Sequence, residues 1–169
     1  MKIKDIILHI ENIDFYQALE YLVKKAEKSR EKTFVVTINP ELVMLAKSSS
    51  EYEKVLKSSD LAVADGICII WAGKMFGKKF PERIHGVDLV EKLSEAVSNK
   101  PITVGLVGGH ENVAQLSAEC LRSSYPNLKI AFAVEEWPGL EADINDELRI
   151  KNKELRKGPN QSSNLPSLS

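Results

Sequence analysis

Two spacings of apolar residues alternate along the chain, and they predict alternating strands and helices. Short, nearly continuous apolar runs rich in β-branched residues predict strands at 6–10, 33–38, 61–64, 102–107 and 128–134. Apolar residues three or four positions apart predict helices at 15–29, 40–47, from Ser50, from Ile67 to near Gly77, at 87–98 and at 111–124. This order predicts an α/β fold: a Rossmann-like, mostly parallel sheet flanked by helices, in a single domain.

Polar residues at the predicted helix starts support these boundaries. Asp14 with Gln17 three positions later forms a capping box before the helix at 15–29. In Asn39-Pro40, asparagine suits the N-cap and proline suits the first helical position. Ser50 followed by Glu53 opens another short helix.

The pattern weakens after Val134 and divides the chain into three parts. Residues 1–134 are the predicted α/β core. Residues 135–157 are charged with few apolar residues, which predicts a solvated helix, and residues 158–169 have the composition of a disordered tail.

Composition narrows the class of protein. The chain has 169 residues, 43% hydrophobic and 28% charged, with a net charge of −1, which argues against a general nucleic-acid binder. Cys68 and Cys120 lie in apolar helical patterns and are expected to be reduced, buried thiols, as in a cytoplasmic protein. The N-terminus does not resemble a signal peptide, and no apolar stretch approaches the ~18 residues that span a bilayer.

The oligomeric state is left open by the sequence. In a homo-oligomer, Trp137 or the apolar stripe of the 15–29 helix could be buried between subunits.

Candidate chemistry follows three of the predicted strands. Ligands in open α/β sheets bind beyond the carboxyl ends of the strands. The residues at those ends are Thr37 and Asn39, then Asp65 and Gly66, then Gly108, Gly109 and His110. We expect these clusters to converge on one cleft if their strands are neighbours.

Asp65 is the strongest single candidate, because it joins an apolar strand to a glycine that lets a ligand approach the backbone. A carboxylate at such an edge suits a general base, although it equally suits a cap on the following helix. Gly108-Gly109 before a helix could offer backbone N–H groups to a diphosphate. Arg83 and His85 lie in a basic loop where arginine could clamp a phosphate, or the loop could simply be solvated.

Several known motifs are absent from the sequence. The spacing of Gly105, Gly108 and Gly109 does not fit the dinucleotide fingerprint GxGxxG, and no GxxxxGK[ST] or DxD motif occurs. The three histidines are far apart and neither cysteine has a CxxC partner, so no metal site and no cofactor are predicted.

Four blocks, in this order and spacing, resemble the WecG/TagA/CpsF glycosyltransferases, glycosyltransferase family 26. They are TINPELVMLA (37–46), ADG (64–66), RIHGVDL (83–89) and VGGHENVAQ (107–115). The resemblance implies an inverting, metal-independent transferase. Its substrates would be UDP-N-acetylmannosamine, or a related UDP-sugar such as the uronic acid or glucose, and N-acetylglucosamine on undecaprenyl diphosphate. It also implies a cytoplasmic protein peripheral to the inner face of the membrane, acting in teichoic acid synthesis.

The resemblance also implies roles for individual residues. Asp65 would be the general base, Thr37 and Asn39 would line the sugar site, and Arg83 would face the diphosphate or the acceptor. The other residues expected to bind substrate are Gly66, His85, Gly86, Asp88, Gly108, Gly109 and His110.

Beyond Val134 the sequence departs from the family pattern, because the expected GxPxQE-type block is missing. Lys151, Lys153, Arg156 and Lys157 could touch anionic lipid or form a solvated helix face. Two alternatives to the active transferase therefore stay open: a catalytically impaired nucleotide-sugar-binding protein, and an unrelated Rossmann-type oxidoreductase.

Overall fold

The computed structural model describes residues 3–28 and 32–135, which form seven helices and four strands. Predictions for Trp137, for the 135–157 helix beyond residue 135 and for the 158–169 tail lie outside these residues. In chain order the elements are α1 (Ile3–His9), α2 (Phe15–Lys28), β1 (Val35–Ile38), α3 (Pro40–Ser48), α4 (Ser50–Lys57), β2 (Leu61–Ala64), α5 (Ile67–Met75), α6 (Gly86–Val97), β3 (Thr103–Val107), α7 (Val113–Ser124) and β4 (Lys129–Val134).

The strands pair in parallel within two compact units, residues 1–102 and 103–169. In the first unit β1 pairs with β2, and in the second β3 pairs with β4. The α/β class and the parallel pairing are therefore confirmed. The described strands form two two-stranded sheets, so one sheet that spans all four stays a prediction.

Helices cover both faces of the β1–β2 pair in the first unit. Ala62 and Ala64 face a cluster built from α1, α3, α4 and α5, whereas Leu61 and Val63 face a cluster built from α2 and α6. All four β2 residues are buried, which explains the unbroken apolar run in the sequence.

The predicted first strand at 6–10 is wrong, because this segment belongs to α1 and the turn after it. Ile6, Ile7 and Ile10 are at most 1% exposed, while Leu8 is 43% exposed. With Ile3, the buried residues have the three- and four-residue spacing of one helix face. The five-residue run IILHI was too short to distinguish the two periods on its own.

Local capping follows the sequence closely. The Asp14 side chain accepts a hydrogen bond from the Gln17 N–H at 2.8 Å, and the Gln17 side chain accepts one from the Asp14 N–H at 2.9 Å. Asn39 Oδ1 accepts from Leu42 N–H at 2.9 Å, and Pro40 begins α3. The cap of α4 is Ser49 and not Ser50.

The loop between α5 and α6 is anchored to the core of the first unit. Phe80 is buried and lies so close to Gly73 that a Cβ there would come within 2.4 Å of its ring. Ile84 is 1% exposed, and its N–H donates to the carbonyl of Ala64 at 2.8 Å. The start of α6 is thereby attached to the carboxyl end of β2.

In the second unit α7 packs on the β3–β4 pair. The register between the strands shifts between Val104 and Gly105. The Phe132 ring occupies the space of a side chain at Gly105, since a Cβ there would come within 2.3 Å of the ring.

The prediction that both cysteines are buried is wrong. Cys68 and Cys120 are free but exposed, because the buried positions of α5 and α7 fall on other sides of these helices.

The apolar stripe of α2 packs inside the first unit, where Ala18 is fully buried against residues of α6 and β2. A homo-oligomer stays a prediction.

Candidate functional site

The candidate site lies at the carboxyl edge of the β1–β2 pair. Ile38 and Ala64 are the last partners of the ladder, and Asp65 N–H donates to the carbonyl of Ile38 at 2.8 Å. Helices α3 and α5 begin within two or three residues of this ladder end. The sequence therefore delivers polar residues from two neighbouring strands to one edge.

Two consecutive residues at the start of α6 hold the Asp65 carboxylate. His85 Nδ1 lies 3.2 Å from Asp65 Oδ1, and Gly86 N–H donates to Asp65 Oδ2 over 3.5 Å. The Asp65 side chain is 21% exposed and that of His85 is 40% exposed. The carboxylate is therefore half-enclosed but open to a ligand from solvent.

The alternative that Asp65 merely caps the following helix is wrong. The N-cap of α5 is Gly66, and no side chain donates or accepts a capping hydrogen bond there. Gly66 has a φ of 107°, a backbone conformation that glycine adopts without strain. The Asp65 side chain turns instead to α6.

Thr37 also reaches this edge. A Cβ placed on Gly86 would lie 3.1 Å from Thr37 Oγ1, so the glycine lets the start of α6 pack directly on the threonine. Thr37, Asp65, His85 and Gly86 therefore meet within the first unit, which brings together two of the three clusters expected to converge, those after β1 and β2.

Three helices begin around this edge. Their N-caps are Asn39 for α3, Gly66 for α5 and His85 for α6. Helix N-termini carry partial positive charge and unpaired N–H groups, which favour anionic ligands. The Oδ1 atom of Asn39 is already committed to its cap, so only the rest of that side chain is left for a sugar.

Two other predicted site residues of this unit lie close to His85 in sequence. Arg83 is exposed in the loop two residues before His85, and Asp88 is exposed in the first turn of α6. Their roles toward substrate stay predictions.

Gly108, Gly109 and His110 follow β3 in the second unit. Gly108 and Gly109 have φ values of 110° and 85°, and Glu111 and Asn112 also have positive φ. Helix α7 begins at Val113, two residues later than predicted, and His110 is exposed. The meeting of this turn with Asp65 stays a prediction.

Sequence reasoning missed the residues that anchor the basic loop. Phe80 and Ile84 are buried, although the sequence predicts a basic loop around Arg83 and His85. The available signal was the apolar pair itself, four residues apart among charged neighbours, with Ile84 directly before His85.

Among residues 3–28 and 32–135, no group of three or more His, Cys, Asp or Glu side chains is placed to hold a metal ion. No helix in these ranges is long and apolar enough to cross a membrane.

The fold and the edge together define an α/β protein with a candidate ligand site beyond the carboxyl ends of parallel strands. The family model of the glycosyl transferase WecG/TagA/CpsF family matches residues 3–152, so the match continues beyond Val134, where the sequence is expected to depart from the family pattern. The chain therefore belongs to the WecG/TagA/CpsF glycosyltransferase family.

Curated relatives share one name, N-acetylglucosaminyldiphosphoundecaprenol N-acetyl-beta-D-mannosaminyltransferase. The protein of Bacillus spizizenii strain W23 is 28% identical over 122 residues, covering 72% of this chain and 48% of the relative. That of Bacillus subtilis strain 168 is 28% identical over 120 residues, 71% and 47% of the two chains. That of Staphylococcus aureus strain MRSA252 is 29% identical over 132 residues, 78% and 50%. The chain spans about half the length of these relatives.

Proposed function

We propose that this chain is the core of a hexosyltransferase that moves N-acetylmannosamine from its UDP donor to N-acetylglucosamine on undecaprenyl diphosphate. One observation carries the proposal: the Asp65 carboxylate lies at the carboxyl edge of β1–β2, held by His85 and Gly86 and not used as a cap. The names of the relatives supply the transferred sugar and the acceptor, and the UDP donor is what the family resemblance implies.

In the proposed inverting reaction, Asp65 accepts the proton of the acceptor 4-hydroxyl. The freed oxygen attacks the anomeric carbon, and the bond from that carbon to the UDP oxygen breaks on the opposite side. General-base help of this kind contributes about 10²–10⁴-fold in rate. Thr37 and Asn39 would line the sugar that is transferred.

The departing UDP gains negative charge, which the site must stabilise. The N-termini of α3, α5 and α6 and the guanidinium of Arg83 supply positive potential for this purpose. In the second unit the Gly108 N–H is already used, because it donates to the carbonyl of Val134 at 2.9 Å, so from this turn the Gly109 N–H alone stays proposed for the diphosphate. We propose that no metal ion is needed, and chelation by EDTA tests this directly: the transfer rate should not change.

The acceptor is a membrane lipid, so the protein would work peripherally at the inner face of the membrane. The basic residues proposed for lipid contact, at 151–157, lie outside the described residues.

The experiment is an assay of UDP release with UDP-N-acetylmannosamine and a short-chain lipid-diphosphate N-acetylglucosamine. The chain should release UDP, and Asp65→Asn should reduce kcat about 10²–10⁴-fold with the fold retained by circular dichroism. Asp5→Asn is the matched control, because Asp5 is exposed on α1.

Three outcomes discriminate the possibilities. Full activity of Asp65→Asn would remove Asp65 as the base. UDP binding in calorimetry without turnover by the wild-type chain would favour the nucleotide-sugar-binding alternative. Turnover of a different UDP-sugar would retain the reaction and correct the donor.

A further inference from the structure

Both oxygens of the Asp65 carboxylate face the start of α6. Oδ1 faces Nδ1 of His85 and Oδ2 faces the N–H of Gly86, two consecutive residues at the start of α6. Asp65 belongs to a different segment, 20 residues earlier in the chain. The orientation of the carboxylate is therefore set by tertiary structure and not by its own helix.

The backbone of His85 is fixed from both sides. The preceding Ile84 is buried and bonded to the carbonyl of Ala64, the residue next to Asp65. The carbonyl of His85 accepts the N–H of Leu89 at 3.0 Å, which begins the ladder of α6. The backbone of His85 is therefore held in place, and the side-chain torsions alone bring the imidazole to Asp65.

Gly86 contacts the second oxygen of the Asp65 carboxylate. Its lack of a side chain lets the backbone approach Thr37 and brings its N–H toward the carboxylate. His85 and Gly86 therefore act as one clamp, with one side-chain contact and one backbone contact.

We propose that His85 is the positioning residue of the Asp65 base: its Nδ1–H donates to Oδ1 and holds the carboxylate toward the acceptor hydroxyl. This inference rests on the proposed function. In a neutral imidazole, donation from Nδ1 leaves Nε2 as the acceptor, so the contact also selects one tautomer of the ring. Loss of orientation at a reacting group costs up to about 10²-fold in rate.

Replacing His85 with asparagine or glutamine distinguishes a contact made by Nδ1 from a contact made by Nε2. The side-chain nitrogen of asparagine stands at the same distance from Cα as Nδ1, whereas that of glutamine stands at the distance of Nε2. His85→Asn should retain kcat within about 3-fold, while His85→Gln and His85→Ala should lose about 10–100-fold in kcat with little change in KM for the donor. His9→Gln is the control, since His9 bonds Ser59 through Nε2, away from Asp65.

Two outcomes of the assay would overturn the proposal. Equal loss in His85→Asn and His85→Ala, with both variants folded, would mean that the ring itself exchanges the proton. Unchanged kcat in His85→Ala would mean that Asp65 needs no positioning.

A second measurement needs no turnover and so survives a failure of the proposed function. Long-range ¹⁵N–¹H NMR of the full chain, with His85 assigned by the His85→Asn variant, should show the Nδ1–H tautomer. Asp65→Ala should shift the ring away from that tautomer. An Nε2–H ring in the wild-type chain, or a ring indifferent to Asp65→Ala, would overturn the contact whether or not sugar transfer occurs.

Discussion

The carboxyl edges of the two parallel strand pairs are built on the same plan but carry different chemistry. A glycine with φ near 110° follows each strand, Gly66 two residues after β2 and Gly108 directly after β3, and a helix begins beyond it. At the first edge a carboxylate side chain, Asp65, is held by His85 and Gly86. At the second edge the chain continues with three more positive-φ residues, Gly109, Glu111 and Asn112.

The proposed function assigns a different task to each edge. A side chain that is aimed and half-enclosed can accept a proton. A run of glycine-rich backbone before a helix offers N–H groups to an anion. At the second edge two of those groups are already used: the Gly108 N–H donates to the carbonyl of Val134 and the Asn112 N–H donates to the Glu135 carboxylate. We therefore expect side-chain substitutions to have large effects at the first edge and small effects at the second.

The largest expected effect comes from comparing Asp65→Ala with His110→Ala. Loss of the base should reduce kcat about 10²–10⁴-fold, which corresponds to about 3–5 kcal/mol of barrier. His110→Ala should change mainly KM for the UDP-sugar, because that side chain belongs to the proposed nucleotide turn. Steady-state kinetics checks both, and an equal loss of kcat in the two variants would contradict the division of roles.

The next largest effect is expected at Ile84, the buried residue that attaches the start of α6 to the first edge. Ile84→Ala should lower the free energy of unfolding by about 2–5 kcal/mol, and Ile130→Ala on β4 should cost a similar amount, since both side chains are buried. Only Ile84→Ala should also lower kcat in the folded fraction, because Ile84 precedes His85. Urea denaturation followed by circular dichroism measures the first quantity, and the UDP assay below the transition measures the second. Normal kcat in folded Ile84→Ala would show that the anchor does not set the clamp.

A smaller effect tests the shared plan of the two turns. Gly66 and Gly108 have φ values of 107° and 110°, and an added Cβ meets no atom closer than 3.5 Å at either position. Gly66→Ala and Gly108→Ala should each cost about 1–3 kcal/mol of stability from backbone strain alone. Thermal denaturation of the two variants should give similar losses, and a cost at only one of them would mean that the turns are not equivalent.

The smallest effect comes from the two asparagine caps. Asn39 Oδ1 caps α3, so Asn39→Ala should cost about 1 kcal/mol. Asn112 precedes α7 with φ of 64° and makes no side-chain cap bond, so Asn112→Gly should cost no stability. Chemical denaturation distinguishes the two, and a loss of about 1 kcal/mol in Asn112→Gly would reveal a contact of that side chain.

Predictions from sequence succeeded where the physical cause is local. The Asp14–Gln17 capping box and the Asn39-Pro40 start join atoms within three residues, and both are present. Strand β2 was predicted with its observed bounds, because Asp60 and Asp65-Gly66 interrupt the apolar run at both ends. The error at 6–10 arose where a short apolar run fits both periods and only packing decides.

The sequence by itself determined the α/β class, most helices and strands, and the placement of Asp65 at the end of a strand. Only the tertiary structure decided which side chains meet that carboxylate, because His85 reaches it through burial of Phe80 and Ile84, residues distant in sequence from Asp65. It also decided that Asp65 does not cap its helix and that both cysteines face outward. Local hydrogen bonds are encoded by neighbouring residues, whereas the aim of a side chain depends on how separate segments pack.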